Sequence, residues 1–170
     1  MIASFLVLAF VTLQRLGELA LAGRNTRRLL ARGGREVGAD HYPLLVLLHG
    51  AWLGGLWILA GNRLVEWPWL AAFIILQALR VWMIASLGER WTTRIIVLPG
   101  APLVRRGPYR FLPHPNYMVV AGEIAVFPLT FGLGLYAAAF SLANAAVLAI
   151  RLRAETRALH EGLSGPSHGS

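Results

Sequence analysis

The segment RRGPYRFLPHPNY, residues 105–117, places residues that can do chemistry between two apolar stretches. Its histidine, His114, could assist proton removal from a hydroxyl group, and the rings of Tyr109 and Tyr117 can pack against a cation. Its prolines deny backbone donors and disfavour helix, so we expect Gly107–Pro115 to be extended or turning. At membrane depth, such irregular backbone is stable only against protein or a polar cavity. The segment is therefore either a re-entrant connector or part of a binding site.

A second polar segment, RLRAETRAL at residues 151–159, continues the last apolar stretch of the chain. Arg151 and Glu155 are spaced i,i+4, and Arg153 and Glu155 can both reach the end of a helix that leaves a membrane. Taken alone, this segment is typical of solvated helical charges. Its combination with the Pro-His-Pro segment favours a shared site.

The composition predicts a membrane protein. Of 170 residues, 56% are hydrophobic and 14% charged, and the mean hydropathy of +0.58 exceeds what a soluble core of this size would bury. The absence of cysteine excludes a disulfide framework, a thiolate metal site and a cysteine nucleophile. No His or carboxylate pairs occur at metal-ligand spacing, so we expect no metal. The glycine-rich stretches GLG and RGGREVG lack the context of a dinucleotide fold and are predicted to be turns.

Apolar runs predict the spanning helices. Met1–Gly23, Pro43–Asn62 and Trp67–Gly88 are each long enough to cross a membrane, and a signal peptide is the competing interpretation of the first. Tyr117–Ile150 would be about 51 Å long as one helix, against a hydrocarbon core of about 30 Å. The glycines of Phe131–Tyr136 should break it into two helices. We therefore predict an all-α integral membrane protein, a bundle of five transmembrane helices with a cytoplasm-facing cofactor pocket.

Charge predicts the orientation. The net charge is +8, and all 16 basic residues are arginine, placed after apolar segments rather than in one stripe, which argues against nucleic-acid binding. Thirteen arginines follow helices 1, 3 and 5: Arg24, Arg27, Arg28, Arg32, Arg35, Arg90, Arg94, Arg105, Arg106, Arg110, Arg151, Arg153 and Arg157. Arg63 alone lies in the other connections. The positive-inside rule places the N-terminus outside and the C-terminus in the cytoplasm, with the bacterial inner membrane as the expected location.

The domain organisation follows from the same pattern. Residues 1–160 are predicted to form one transmembrane domain, because no second domain would fit in what remains. Residues 161–170 are small and polar, so we expect a disordered tail.

Polar residues inside the apolar runs are candidate functional groups by default. Arg15 and Glu18 lie on one face of helix 1 with Gln14, His49 and Glu123 lie singly in their spans, and Gln77 and Arg80 are spaced i,i+3. The structural alternative is interhelical pairing, for example of Glu18 or Glu123 with Arg80. The candidate substrate contacts are Arg15, Glu18, His49 and Glu123.

Together, GPYRFLPHPNY and RLRAETRAL, separated by an apolar hairpin, resemble the isoprenylcysteine carboxyl methyltransferase family. That family has a GPYRxxRHPxY-like segment, a two-helix hairpin and an RxxEE-like segment. The resemblance covers roughly the last seventy residues. Pro113 stands where the family has an arginine, and Thr156 replaces the second glutamate, so roles that rest on those two residues do not transfer. The first part, with RLGEL and DHYPLLVLLHG, resembles a small bacterial branch encoded beside type III polyketide synthases, which O-methylates alkylpyrones or alkylresorcinols.

The resemblance implies that S-adenosyl-L-methionine binds in the cytoplasmic pocket and leaves as S-adenosyl-L-homocysteine. The implied cofactor contacts are Tyr109, Arg110, His114, Pro115, Asn116, Tyr117 and Glu155. Arg153 is the expected orienter of the acceptor, and Glu155 is expected to hold the cofactor or handle a proton. The partners implied are the lipid bilayer, a lipophilic acceptor and a polyketide synthase that supplies it.

Three alternatives stay open at this point. The acceptor oxygen could belong to a hydroxyl group or to a lipid-linked carboxylate. Related membrane families carry a similar Arg-His-Pro-Asn-Tyr segment, which leaves an NADPH-dependent lipid or steroid reductase as a second enzyme. A non-enzymatic membrane scaffold would leave His114 and Glu155 unexplained.

Overall fold

The computed structural model describes residues 2–102, 104–112 and 114–163, apart from the side chains of His41 and of residues 154–163. The five α-helices in this part of the chain are α1 Ile2–Ala31, α2 Tyr42–Ala60, α3 Trp67–Leu87, α4 Pro115–Leu129 and α5 Gly134–Leu163. The first helix continues past Gly23, where its prediction stopped. The last reaches Leu163, three residues into the predicted tail, and residues 164–170 lie outside the described residues.

Four helices of the described chain, α1, α2, α3 and α5, are long and apolar enough to cross a membrane. The remaining helix, α4, has 15 residues and is about 22 Å long, short of a hydrocarbon core of about 30 Å. An all-α integral membrane protein is thus confirmed, whereas four candidate spans are found where five were predicted. Large apolar side chains cover the outside of the helices, as expected of a surface that faces lipid.

The predicted break between the last two helices is confirmed. Pro128 lies in the last turn of α4, and Gly132 adopts a left-handed φ of 67°, which ends the helical path at low cost. The backbone N–H of Leu133 donates to the carbonyl of Pro128 at 3.1 Å, closing the turn. The turn lies beside the α2–α3 connection, because Glu66 N–H donates to the carbonyl of Thr130 at 2.8 Å.

The apolar core fills the half of the bundle near this turn. Phe127 is its centre: its ring stacks on Phe73 at 4.4 Å and contacts Trp52 at 5.7 Å and Phe131 at 5.3 Å. These side chains come from α2, α3, α4 and the turn after it, so burial of their rings holds the helices together at this end. The paired charged side chains of the spans, Arg15, Glu18, Arg80 and Glu123, are not part of this core.

The other end of the bundle, which we call the basic end, carries the arginine-rich connections and a small antiparallel sheet. Strand β1, Arg35–Val37, pairs with β2, Ile95–Val97. These two short strands were not predicted and leave the all-α class unchanged; β1 lies in the stretch RGGREVG that was predicted as a turn. Two strands of three residues with partners 58 residues or more apart leave no periodicity to detect.

Exposed ion pairs lie at the surface of the basic end. Glu36 accepts a hydrogen bond from Arg94 at 2.9 Å, which raises the pKa of that guanidinium above its usual value. Glu89 pairs with Arg28 at 3.2 Å and with Arg32 at 3.0 Å. Such exposed pairs contribute little to stability.

The predicted irregular segment turns, as expected, before α4 begins. Residues 107–110 form one 3₁₀ turn, and Gly107 has a φ of 58°. A Cβ on Gly107 would lie 2.9 Å from Ser86 Cβ, so the glycine lets this segment pack against α3. Arg106 Nε donates to the carbonyl of Ser86 at 2.8 Å and fixes the same contact.

Candidate functional site

The start of α4 brings the predicted histidine and tyrosine together. His114 directly precedes the helix, and its ring stacks on that of Tyr117 with centroids 5.3 Å apart and planes 10° from parallel. The Tyr117 N–H donates to the carbonyl of His114 at 3.2 Å, so the first turn of backbone holds the pair. Between them, Pro115 is buried and Asn116 half-buried. The four residues therefore form one short aromatic and polar surface.

Arg151, which was not among the predicted site residues, ties this surface to α5. Its side chain is buried, its Nε donates to Tyr117 Oη at 3.1 Å, and its Nη1 donates to the carbonyl of Thr93 at 2.8 Å. Thr93 Oγ1 also lies 3.1 Å from Tyr42 Oη at the start of α2. Arg151 thus joins α5 to α4 and to the segment before β2, and Thr93 of that segment in turn contacts the start of α2.

The position of Arg151 on α5 distinguishes it from Arg153. Among the residues of α5 whose side chains are described, those that are buried recur at intervals of seven, three and four: Ala137, Asn144, Val147 and Arg151. Arg153 is two residues further, about 200° around the helix, and its side chain is exposed. The side chain of Glu155, the other predicted catalytic residue, lies outside the described residues.

The remaining predicted cofactor residues lie in the 3₁₀ turn. Tyr109 is half-buried, and Arg110 is exposed with its guanidinium 5.8 Å from the ring of Phe111. Of the predicted cofactor residues, the structure brings the rings of His114 and Tyr117 into contact.

A cleft of about 500 Å³ opens at the basic end between the ends of α1 and α3 and residues 98–106. Its lining combines apolar and charged side chains: Leu29, Arg32, Leu87, Glu89, Arg90, Leu98, Pro102, Val104, Arg105 and Arg106. Of the predicted cofactor residues whose side chains the structure describes, none is in this lining. We place the candidate site at the His114–Tyr117–Arg151 contacts, because these unite two polar segments that are remote in sequence.

Deeper in the bundle lies a second set of contacts, which we call the polar cluster. It comprises residues of α1, α3 and α4: Gln14, Arg15, Glu18, Gln77, Arg80 and Glu123. Glu123 accepts from Arg15 at 3.0 Å and from Arg80 at 2.8 Å, and Arg80 also donates to Glu18 at 2.7 Å. The predicted pairing of Arg80 with Glu18 or Glu123 is confirmed, since Arg80 binds both.

Two glutamines donate further hydrogen bonds within the polar cluster. Gln14 Nε2 donates to Gln77 Oε1 at 2.7 Å and to Glu18 at 3.0 Å, and Gln77 Nε2 donates to Glu123 at 2.7 Å. The two arginines and two glutamates balance, so the cluster has no net formal charge. Charges buried in an apolar bundle are tolerated when they are paired in this way.

His49 of α2 lies within electrostatic range of Arg15, Arg80 and Glu123 of the polar cluster. Its Nδ1 is 2.9 Å from the carbonyl of Leu45, one turn earlier. A carbonyl can only accept, so Nδ1 carries the proton and Nε2 keeps a lone pair in the neutral ring. All four predicted substrate residues are therefore near one another.

Comparisons with known proteins agree with the resemblance seen in the sequence. The model of the isoprenylcysteine carboxyl methyltransferase (ICMT) family matches residues 69–161. The uncharacterized protein YpbQ of Bacillus subtilis is 37% identical over 162 residues, which are 92% of this chain and 96% of that protein. An uncharacterized protein of Haemophilus influenzae is 26% identical over 156 residues, 85% of this chain and 88% of that protein. No solved structure is significantly similar to the chain.

The matched region contains both polar segments and the whole of α4, and with the YpbQ relative the similarity extends over nearly the full chain. The family implies, in general terms, a membrane methyltransferase that uses S-adenosylmethionine. The chain belongs to the isoprenylcysteine carboxyl methyltransferase family.

Proposed function

We propose that this protein is an S-adenosylmethionine-dependent O-methyltransferase of the membrane that acts on a lipophilic small molecule. The observation that carries the proposal is the family match over residues 69–161, which includes both the His114–Tyr117 surface and the Arg151 contact. The finer substrate proposal, an alkylpyrone, alkylresorcinol or similar phenol or enol supplied by a polyketide synthase, rests on the resemblance of the N-terminal part alone. A lipid-linked carboxylate is the other acceptor considered.

The residues at the start of α4 suit the cofactor. S-adenosylmethionine supplies a methyl group bound to a positively charged sulfur, and aromatic faces such as those of His114 and Tyr117 favour a nearby cation. We propose that Tyr109, Pro115 and Asn116 complete this contact surface. Arg110 and Glu155 are proposed to bind the charged amino-acid end, because a carboxylate and an ammonium need partners of opposite sign.

The acceptor is proposed to meet Arg153, Glu155 and the polar residues of the spans. Arg153 orients the acceptor oxygen, and Glu155 holds the cofactor or receives a proton. The substrate contacts within the membrane are Arg15, Glu18, His49 and Glu123. Methyl transfer depends on alignment and on exclusion of water, and a site bordered by helices in lipid supplies both.

We further propose that residues 1–160 form one domain in which all five helices cross the membrane, with a cytoplasmic pocket. The contact between Glu66 and Thr130 supports crossing by the short helix α4, because it brings the end of α4 to the α2–α3 connection. The arginine count supports an outside N-terminus and a cytoplasmic C-terminus in the bacterial inner membrane. The lipophilic acceptor then enters sideways from lipid, while the polar cofactor enters from the cytoplasm.

Thermal unfolding of detergent-purified protein with S-adenosylhomocysteine or NADPH tests this proposal. At 100 times the dissociation constant, a bound ligand adds about 2.7 kcal/mol, or about 5–11 °C for a chain of this size. We expect S-adenosylhomocysteine to stabilise the wild type and the control Met118→Ala, whose exposed side chain lies next to Tyr117, but not His114→Ala. Stabilisation by NADPH alone would identify a reductase. No response to either ligand would favour a scaffold and refute the proposal.

A further inference from the structure

The cleft at the basic end lies at the boundary between the membrane-spanning helices and water. Its volume of about 500 Å³ is within the range of about 300–1,000 Å³ typical of small-molecule sites. Helix α3, one of its walls, has 21 residues and is about 32 Å long, which matches a hydrocarbon core of about 30 Å. Leu87, the last residue of α3, lines the cleft, so the cleft is at the depth of lipid headgroups.

The lining of the cleft carries an excess of positive charge. Its charged residues are four arginines and one glutamate: Arg32, Arg90, Arg105, Arg106 and Glu89. Glu89 is already paired with Arg32 at 3.0 Å and, from outside the lining, with Arg28 at 3.2 Å. Among the residues that the structure describes, no carboxylate forms an ion pair with the other three arginines. The cleft is therefore suited to an anion.

Two of these three arginines are held in place by backbone carbonyls. Arg106 Nε donates to the carbonyl of Ser86 at 2.8 Å, and Arg90 Nη1 donates to the carbonyl of Pro102. A carbonyl does not neutralise a guanidinium, and most of the N–H groups of both side chains remain for a ligand. Arg105 is exposed and makes no hydrogen bond or ion pair within the described part of the chain. Guanidinium groups placed in this way fit the oxygens of a phosphate group.

Apolar side chains line the same cleft. Leu29 is buried, and Leu87, Leu98 and Val104 are half-buried. A small soluble anion such as inorganic phosphate would leave these side chains in contact with water. The glycerol backbone and the first acyl carbons of a phospholipid would cover them, and removal of apolar surface from water favours that contact. Charge and apolar surface together therefore suit an anionic amphiphile.

We propose that this cleft binds the phosphate group of an anionic phospholipid. The three arginines without a carboxylate partner bind the phosphate oxygens, and the apolar side chains pack against the glycerol backbone and the start of the acyl chains. The bound lipid joins the ends of α1 and α3 to the connection between β2 and the 3₁₀ turn. This site is separate from the proposed methyl-donor surface, because no described side chain of that surface lines the cleft.

Two phospholipids with identical acyl chains test the proposal. Protein purified in a neutral detergent receives dioleoylphosphatidylglycerol or dioleoylphosphatidylcholine, and the unfolding temperature is measured against the mole fraction of lipid. At about ten times its dissociation constant, a bound lipid should raise the unfolding temperature by about 3–6 °C. The anionic lipid should bind at least about fivefold more tightly than the zwitterionic lipid, since one arginine near an anionic lipid contributes about that factor. Equal affinities for the two lipids would overturn the proposal.

Inorganic phosphate distinguishes a lipid site from a site for a soluble anion. At an ionic strength matched with sodium chloride, inorganic phosphate should leave the unfolding temperature unchanged, because it cannot cover the apolar part of the lining. A shift equal to that caused by the anionic lipid would show that the site takes phosphate without acyl chains. That result would overturn the assignment to a lipid.

Two matched variants locate the binding. Arg105→Gln removes a positive charge from the cleft without breaking a contact of the described residues, and it should weaken binding of phosphatidylglycerol about fivefold. Arg27→Gln is the control, because Arg27 is an exposed arginine of α1 near the same end and lies outside the lining. It should change the affinity by less than about twofold, since salt screens exposed charges. Equal weakening by both variants would show attraction to the whole basic end and would overturn a site in the cleft.

S-adenosylhomocysteine, added to the wild type and to Arg105→Gln, separates this proposal from the proposed function. It should stabilise both proteins equally. If Arg105→Gln lost that stabilisation but kept its affinity for phosphatidylglycerol, the cleft would belong to the methyl donor, and the lipid site would be refuted. If lipid selectivity were present in the wild type and lost in Arg105→Gln, while neither protein responded to S-adenosylhomocysteine, the lipid site would be supported and the methyltransferase refuted.

Discussion

Replacing Glu123 by glutamine should destabilise this protein far more than the same change at Glu89. Both carboxylates receive hydrogen bonds or ion pairs from two arginines: Glu123 from Arg15 and Arg80, and Glu89 from Arg28 and Arg32. The side chain of Glu123 is 4% exposed, whereas that of Glu89 is 51% exposed. The two substitutions are therefore chemically matched and differ in burial.

The expected magnitude follows from what Glu123→Gln leaves behind. Glu18 alone then faces two guanidinium groups, and the new amide must point its NH₂ group either at an arginine or at the NH₂ group of Gln77. Removing one partner of a buried ion pair costs about 3–5 kcal/mol, whereas an exposed pair contributes about 0–1 kcal/mol. For a chain of this length, about 2–4 °C per kcal/mol converts these values into a decrease of about 6–20 °C for Glu123→Gln. Glu89→Gln should lower the unfolding temperature by at most about 4 °C.

Tryptophan fluorescence during heating of the detergent-solubilised protein measures both variants under the same conditions. Since the cost comes from an unbalanced charge, a second substitution, Arg80→Gln, should restore part of the lost stability in the Glu123→Gln background. Equal unfolding temperatures of the Glu123 and Glu89 variants would refute the argument that burial of the polar cluster makes its pairing strong. This explanation would also be refuted if the double variant lost as much stability as the two single variants together, because the effects of substitutions at groups in direct contact should not be additive.

Two further predictions concern the basic end. Arg151→Ala should lower the unfolding temperature by several degrees and weaken S-adenosylhomocysteine binding, because it removes the guanidinium that donates to the carbonyl of Thr93 and to the hydroxyl of Tyr117. Arg153→Ala should leave the unfolding temperature unchanged and lower turnover more than a few-fold. A lower unfolding temperature for Arg153→Ala than for Arg151→Ala would contradict the buried position of Arg151. Gly107→Ala should lower the free energy of unfolding by at least about 1–2 kcal/mol because residue 107 has a left-handed φ, and by more because the new Cβ would clash with Ser86. Thermal unfolding measures the change. An unchanged unfolding temperature would show that this turn does not adopt the described conformation.

Local properties of the chain were readable from the sequence. The mean hydropathy over a window of residues predicted the helices, because a continuous run of about 20 apolar residues is long enough to cross the hydrocarbon core as a helix. The break after Leu129 was predicted from its glycines, since Gly132 can adopt the left-handed backbone that ends a helix. The pairing of Arg80 with Glu18 or Glu123 was foreseen, because a charge inside a membrane must find a partner of opposite sign.

Other expectations depended on distances that no local pattern contains. The two short strands were missed because residues 35–37 pair with residues 95–97 across two helices. The apolar run from Tyr117 did not show that α4 has only 15 residues, Pro115–Leu129, so the crossing of the membrane by α4 stays a prediction.

The sequence by itself determined that this chain is a helical membrane protein with two polar segments typical of its family. The identity of a helix and the presence of a motif follow from neighbours in sequence, so composition and spacing suffice. Only the tertiary structure decided that Arg151, rather than Arg153, donates a hydrogen bond from α5 to Tyr117. It also decided that residues of α1, α3 and α4 together form the polar cluster, which has no net formal charge. Which face of a helix is buried, and which polar groups remain without a partner, depend on how the helices pack, and that packing is a property of the whole bundle.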